Sequence, residues 1–114
     1  MSERMRYFLS VMGVTMTLRG YSIAIEAAQI QIEGLLTNRS VLATKDIYPR
    51  LAALHHTKPS NIEHAIRVVA QCCWRNNKTM LCRLTGTSLT KAPSNSELID
   101  MMARYAIGQN HHTD

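Results

Sequence analysis

Residues 45–74 decide the fold, and they read KDIYPRLAALHHTKPSNIEHAIRVVAQCCW. The segment indicates a helix, a short polar break, and a second helix with one apolar face. At 100° per residue, the apolar side of the second helix carries Ile62, Ala65, Ile66, Val69, Cys72 and Cys73. The opposite side carries Ser60, Asn61, His64, Arg67, Val68, Gln71 and Arg75. A face held by the core and a polar face free to enter the major groove are typical of a helix-turn-helix recognition helix.

Length and charge indicate the number of domains and the kind of binding partner. A chain of 114 residues with 46% hydrophobic content fits one domain with a packed core. Thirteen Lys and Arg against eight Asp and Glu give a net charge of +5 and a pI near 9.5. This balance favours an anionic partner such as nucleic acid. Charge alone leaves open a basic surface without a dedicated partner.

Enzymatic, metal-binding and membrane functions find no support in the sequence. Three cysteines are an odd number, and their placement on apolar helix faces favours reduced thiols packed as small hydrophobes. The histidines lack the spacing of zinc ligands, so neither a metal nor a cofactor is expected. No phosphate-binding loop or catalytic motif is present, which argues against an enzyme. No signal peptide or membrane-length apolar run occurs, so a reducing cytoplasm is expected.

The periodicity predicts an all-α fold of about six helices with a central helix-turn-helix, over residues 3–12, 21–36, 44–55, 59–75, 78–85 and 94–108. Pro49 requires a loose first turn in the third helix, whereas Pro59 suits the first turn of the fourth. Residues 14–19 are interpreted as an extended connector. Residues 94–97 have the Ser-x-x-Glu spacing of a capping box. Trp74 is predicted to pack beside the next helix, and residues 109–114 to form a frayed polar tail.

Five sequence pieces, in order and correctly spaced, resemble one known family. They are Gly13-Val14, Gly20-Tyr21 before a Glu-Ala helix, Tyr48-Pro49-x-Leu51-Ala52, Glu63-x-Ala65-Ile66-Arg67 with Trp74 downstream, and the run TKAPSNSELI at residues 90–99. Over residues 5–107 the chain resembles the C-terminal DNA-binding effector domain of the sporulation-initiating response regulator, stage zero sporulation protein A. The resemblance implies about six helices, a helix-turn-helix that reads DNA, and a proline at the position of Pro49.

Two departures from that family affect the expected function. The family joins a receiver domain to this effector domain, whereas this chain has only a few residues before the first matching helix. We therefore expect no phosphorylatable receiver, either because the domain is excised or because the regulator stands alone. The family also carries arginine at the positions of Asn61 and His64, while Glu63 and Arg67 are retained. Because arginine makes the strongest guanine contacts, the target sequence is expected to differ.

These arguments predict a sequence-specific regulator that binds double-stranded DNA, with a weak homodimer forming on tandem sites. The residues expected to contact DNA are Lys58, Ser60, Asn61, Glu63, His64, Arg67 and Lys91. Arg67 is assigned to a base or phosphate, Glu63 to cytosine N4, and Lys58 and Lys91 to phosphates. Each also has a simpler interpretation as a solvated surface residue. The alternative function is an interaction module that does not bind DNA and antagonises a full-length regulator.

Overall fold

The computed structural model describes residues 2–108, which form five α-helices without a β-strand. The helices are α1 (Ser2–Val11), α2 (Gly20–Leu36), α3 (Tyr48–Leu54), α4 (Pro59–Thr85) and α5 (Asn95–Ala106). The predicted all-α class is confirmed. In this part of the chain, no helix is long and apolar enough to cross a membrane. The predicted polar tail lies outside the described residues.

The predicted fourth and fifth helices are two parts of α4. Asn77 has non-helical backbone angles (φ −159°, ψ 64°), which kink α4 and divide it into a proximal part (residues 59–76) and a distal part (residues 78–85). The Asn77 Oδ1 accepts a hydrogen bond from the Met80 N–H at 3.4 Å, and its Nδ2 donates to the Val11 carbonyl at 3.5 Å. Asn77 therefore stabilises the start of the distal part and joins the kink to the end of α1.

Helix α2 lies at the centre of the core, in contact with both α4 and α5. Its first residue, Gly20, is so close to α4 that an added Cβ would lie 2.4 Å from the Ala65 carbonyl oxygen and 2.7 Å from Val69 Cγ2. The remaining core contacts come from the buried faces of α1, α3 and α5. This packing fixes the inward face of α4 and thereby leaves its polar face directed outward.

The connector from α1 to α2 corrects one expectation. Residues 16–19 form turns and are not extended, because the Leu18 N–H donates to the Thr15 carbonyl at 3.1 Å and the Tyr21 N–H donates to the Leu18 carbonyl at 3.0 Å. The β-branched residues favour an extended backbone, but the segment is too short for a sheet partner, and local hydrogen bonds decide its shape.

The expected loose turn before Pro49 is present. A π-helical turn, Ala43–Ile47, leads directly into α3, and Pro49 occupies the first turn of that helix. A proline in this position loses no helical hydrogen bond, because the first N–H groups of a helix have no intrahelical acceptor. The Asp46 Oδ2 further stabilises the π-helical turn by accepting a 2.8 Å hydrogen bond from the Leu42 N–H.

Candidate nucleic-acid interface

The turn between α3 and α4 is closed by backbone hydrogen bonds. His56 adopts the left-handed conformation (φ +54°). The Thr57 N–H donates to the Ala52 carbonyl at 2.9 Å, and the His56 N–H donates to the Ala53 carbonyl at 3.4 Å. This is the Schellman arrangement that ends many helices. The chain therefore leaves α3 sharply and enters α4 within residues 55–58, so that the two helices pack as a helix-turn-helix.

The N-terminus of α4 carries positive potential. Lys58 is extended (φ −91°, ψ 149°) at the position before the helix, and Pro59 occupies the first turn. No side chain caps this end. The hydroxyl group of Thr57, just before Lys58, instead accepts a 2.7 Å hydrogen bond from Asn61 Nδ2. The exposed Lys58 ammonium and the positive end of the helix dipole both favour a phosphate oxygen at this position.

The predicted division of α4 into two faces is largely confirmed. The inward side chains that are fully or almost fully buried are Ile62, Ala65, Ile66, Val69 and Cys73. The outward side chains that are exposed are Ser60, Asn61, His64, Arg67, Gln71 and Arg75. Cys72 and Val68 lie half-buried at the boundary between the faces. Burial of each isoleucine stabilises the fold by about 1.5–3 kcal/mol, so rotating the outward face toward the core is excluded.

Arg67 is positioned by two neighbours on its own helix. Its Nη1 lies 3.4 Å from Glu63 Oε2, and its Nη2 donates to His64 Nδ1 at 3.2 Å. The Arg67 side chain remains 48% exposed. An exposed ion pair at this spacing contributes only about 0.3–0.5 kcal/mol. The guanidinium is therefore oriented in the absence of a ligand, yet it can exchange these contacts for a base edge at little cost.

Asn61 and His64 keep hydrogen-bonding groups directed to solvent. Asn61 uses one Nδ2 hydrogen on Thr57, which leaves its Oδ1 and the second hydrogen for the paired contact that asparagine makes with adenine. Arginine is only a donor, so His64 Nδ1 acts as an acceptor in the bond with Arg67. The neutral His64 ring then carries its proton on Nε2, which is a donor suited to an acceptor on a base.

Lys91 lies in the loop that leads into α5, and Asn95, the first residue of α5, attaches the end of this loop to both helices of the helix-turn-helix. Asn95 Nδ2 donates to the Glu63 carbonyl at 2.9 Å and to Tyr48 Oη at 3.0 Å. The predicted capping box is present, with the Glu97 N–H donating to Ser94 Oγ at 3.1 Å and the Ser94 N–H donating to Glu97 Oε1 at 2.8 Å. The side chain of Lys91 is exposed on this anchored loop.

An open groove of about 430 Å³ separates the outward face of α4 from the start of α5. We call it the α4–α5 groove. One wall carries Glu63, Arg67 and Gln71, and the other is formed by residues 92–96. Sequence reasoning placed Gln71 on the polar face but not in the site, and it missed the anchoring role of Asn95. The asparagine inside a capping sequence was the available signal, but its partners are too distant in sequence to be identified from helical periodicity.

The thiol and histidine groups near this surface do not form a reactive or metal-binding cluster. Burial, and secondarily the neighbouring Cys72 thiol, raises the pKa of Cys73 to about 12, so the Cys73 thiol stays protonated at neutral pH. Residues 2–108 contain no grouping of three or more His, Cys, Asp or Glu side chains that could hold a metal ion. The outward face of α4 presents exposed hydrogen-bonding and charged side chains.

The geometry agrees with a comparison against known protein families. Residues 5–106 match the family model described as sporulation initiation factor Spo0A C terminal. The chain belongs to this family. It is a family of DNA-binding effector domains of sporulation response regulators and not a family of enzymes. The earlier resemblance is thereby confirmed over nearly the whole chain. A comparison with solved structures gives no match.

Proposed function

We propose that the chain is a transcription regulator that binds double-stranded DNA with sequence specificity, in the manner of the Spo0A C-terminal family. One observation carries the proposal, namely that Arg67 is held between Glu63 and His64 on the exposed face of a helix-turn-helix second helix. A guanidinium oriented in this way is suited to the two acceptors, O6 and N7, of a guanine in the major groove.

The proposed contacts divide into base readers and backbone contacts. Asn61, Glu63, His64 and Arg67 lie along the outward face and are assigned to base edges, with Ser60 at its start. Lys58 precedes the helix, and Lys91 belongs to the loop across the α4–α5 groove. At 1.5 Å per residue, about 20 Å of helix separates Lys58 from Gln71, beside which that loop lies. The two lysines therefore flank the reading face, as expected for contacts that set orientation without reading sequence.

Glu63 contributes to specificity in two ways under this proposal. Its carboxylate orients Arg67 in the free protein, and it is an acceptor for the amino group of a cytosine in the complex. It also repels phosphates, so it restricts which part of the helix approaches the backbone. Loss of Glu63 is expected to strengthen nonspecific binding while it weakens discrimination among sequences.

The first test is selection of preferred duplexes from a random pool by the native chain, followed by measurement of the affinity of Arg67→Ala. If Arg67 reads a base, its removal costs about 1–3 kcal/mol at the preferred site and much less on unrelated duplexes. Arg39→Ala is the matched control, because Arg39 is an exposed arginine at the far end of α2 whose Nε donates to Thr37 Oγ1. Unchanged affinity and preference in Arg67→Ala contradicts the assignment of the reading helix.

The same measurements address the alternative function. A chain that enriches no sequence and binds no duplex, yet binds a full-length regulator of this family, is an interaction module and not a DNA reader.

A further inference from the structure

The net charge of the protein resides in one part of the chain. The stretch from His64 to Ser96 contains five of the thirteen basic residues and none of the eight acidic residues. The remaining basic residues equal the acidic residues in number, so the rest of the chain is formally neutral. The five basic residues, all with exposed side chains, are Arg67, Arg75, Lys78, Arg83 and Lys91. Arg67 and Lys91 belong to the proposed interface, but Arg75 and Lys78 lie beyond it, on either side of the kink in α4.

A second open groove, of about 660 Å³, lies at that kink. We call it the kink groove. Its lining residues include no carboxylate and are Gln71, Trp74, Arg75, Asn76, Asn77, Lys78, Thr79 and Ala92. The only tryptophan of the chain, Trp74, is half-buried here, and Lys78 Nζ lies 5.6 Å from the centre of its ring. A groove that combines two cations, amide and hydroxyl groups, and an aromatic wall is suited to an anionic ligand.

The kink groove continues the α4–α5 groove. Gln71 and Ala92 line both of them, so one trough follows α4 from Glu63 to the kink. Arg67, Gln71 and Arg75 are spaced by four residues and therefore form one row along the helix. About 12 Å of helix axis separates Arg67 from Arg75, which is about the width of the major groove. This length is sufficient for Arg75 to reach a bordering sugar-phosphate backbone while Arg67 contacts a base in the groove.

The cations of the kink groove are available for a ligand. Within residues 2–108, neither Arg75 nor Lys78 forms a salt bridge. Arg75 has a weak contact, from its Nη2 to Cys72 Sγ at 3.5 Å. Asn76 and Asn77 direct their Nδ2 groups toward carbonyls at and just after the end of α1. These contacts fix the backbone that forms the kink groove. The groove is therefore a supported surface with two unneutralised charges.

We propose that the kink groove is a second DNA-contact site, in which Arg75 and Lys78 bind phosphates of the duplex backbone beyond the segment read by Arg67. The inference rests on the proposed function for its docking geometry. It adds a contact that is independent of sequence and extends the footprint toward the distal part of α4. Trp74 forms the wall of this site and is expected to lose solvent exposure when the backbone docks.

The test compares the native chain with Arg75→Gln plus Lys78→Gln, on the selected duplex and on an unrelated duplex. Each lost phosphate contact reduces the steepness of a plot of the log association constant against the log salt concentration by about 0.9. The slope for the double variant is therefore expected to be shallower by roughly 1.8. Affinity should fall on the order of tenfold near physiological salt, by the same factor on both duplexes. Arg39→Gln removes a matched charge at the end of α2 and should change the slope far less.

A second measurement follows Trp74, whose emission reports on the kink groove alone because the chain has one tryptophan. Duplex should change the emission of the native chain at low salt, and the change should shrink in the double variant. An unaltered slope together with silent emission overturns the inference.

The outcomes separate this inference from the proposed function. Sequence preference without an effect of the double variant contradicts only the second contact site. A changed slope without any sequence preference supports the second site and contradicts the proposed specificity. Absence of binding to every duplex contradicts both.

Discussion

At the residue scale, the specificity of the proposed reader depends on side chains that are already oriented. Thr57 holds Asn61, and Arg67 is held by Glu63 and His64, so little conformational entropy is lost when these groups meet a base. On the resemblance given in the sequence analysis, Asn61 and His64 are expected to stand where the family carries arginine. Asparagine favours adenine, and a neutral histidine offers one donor, so neither reproduces the two bonds that arginine makes to guanine.

This substitution pattern leads to a prediction about target choice. The native chain should prefer a sequence that depends less on guanine opposite residues 61 and 64 than the sequence preferred by its double variant Asn61→Arg plus His64→Arg. Each good bidentate pair provides about 1–3 kcal/mol of discrimination, so the gain in guanine preference should be measurable at both positions. Parallel selections from one random pool check it. Identical consensus sequences for the two proteins would show that neither residue touches a base.

At the element scale, the close approach of α2 to α4 fixes the position of α4, which is the proposed DNA-reading helix. An added methyl group at Gly20 meets the Ala65 carbonyl oxygen, which belongs to backbone and cannot move aside as a flexible side chain can. Gly20→Ala should therefore lower the free energy of unfolding by about 1–3 kcal/mol through overpacking. Ser22→Ala, at an exposed position in the same first turn, is the control. Denaturant titration of both variants measures the effect. Equal stability of the two variants would mean that α2 and α4 can move apart at little energetic cost.

Some features of the helices could be predicted from the sequence, and others could not. Helix positions and the inward face of α4 were predictable, because periodicity, capping residues and proline placement are local signals. The kink at Asn77 was anticipated only as a break between two helices. Its structure depends on hydrogen bonds to the carbonyls of Val11, at the end of α1, and of Met12, which are more than sixty residues away. The α4–α5 groove was not predictable for the same reason, since Asn95 joins Glu63 and Tyr48 only after the chain has folded.

At the scale of the whole molecule, charge and apolar surface are distributed differently. Three of the five basic residues in the stretch without acidic residues, Arg67, Arg75 and Lys78, line the trough beside α4. Among residues 3–108, the large apolar side chains that remain exposed lie on separate elements, and they are Tyr7, Met16, Leu36, Leu42 and Leu54. Tyr7 and Met16 line one groove near the end of α1, but the other three are not part of it. Stable dimer interfaces bury about 800 Å² on each partner, an area larger than a few exposed apolar side chains supply.

The protein should consequently be a monomer of 12.8 kDa in solution, while adjacent binding sites on DNA bring two copies together. A copy bound at one site strengthens the binding of a second copy at the adjacent site only if the two bound copies touch. Cooperativity should therefore depend on the spacing of the sites. Sedimentation equilibrium without DNA measures the first expectation. Titration of duplexes that carry two sites at varied spacing measures the second. A tight dimer in the absence of DNA would contradict the monomer and would favour an interaction surface as the main function of the domain.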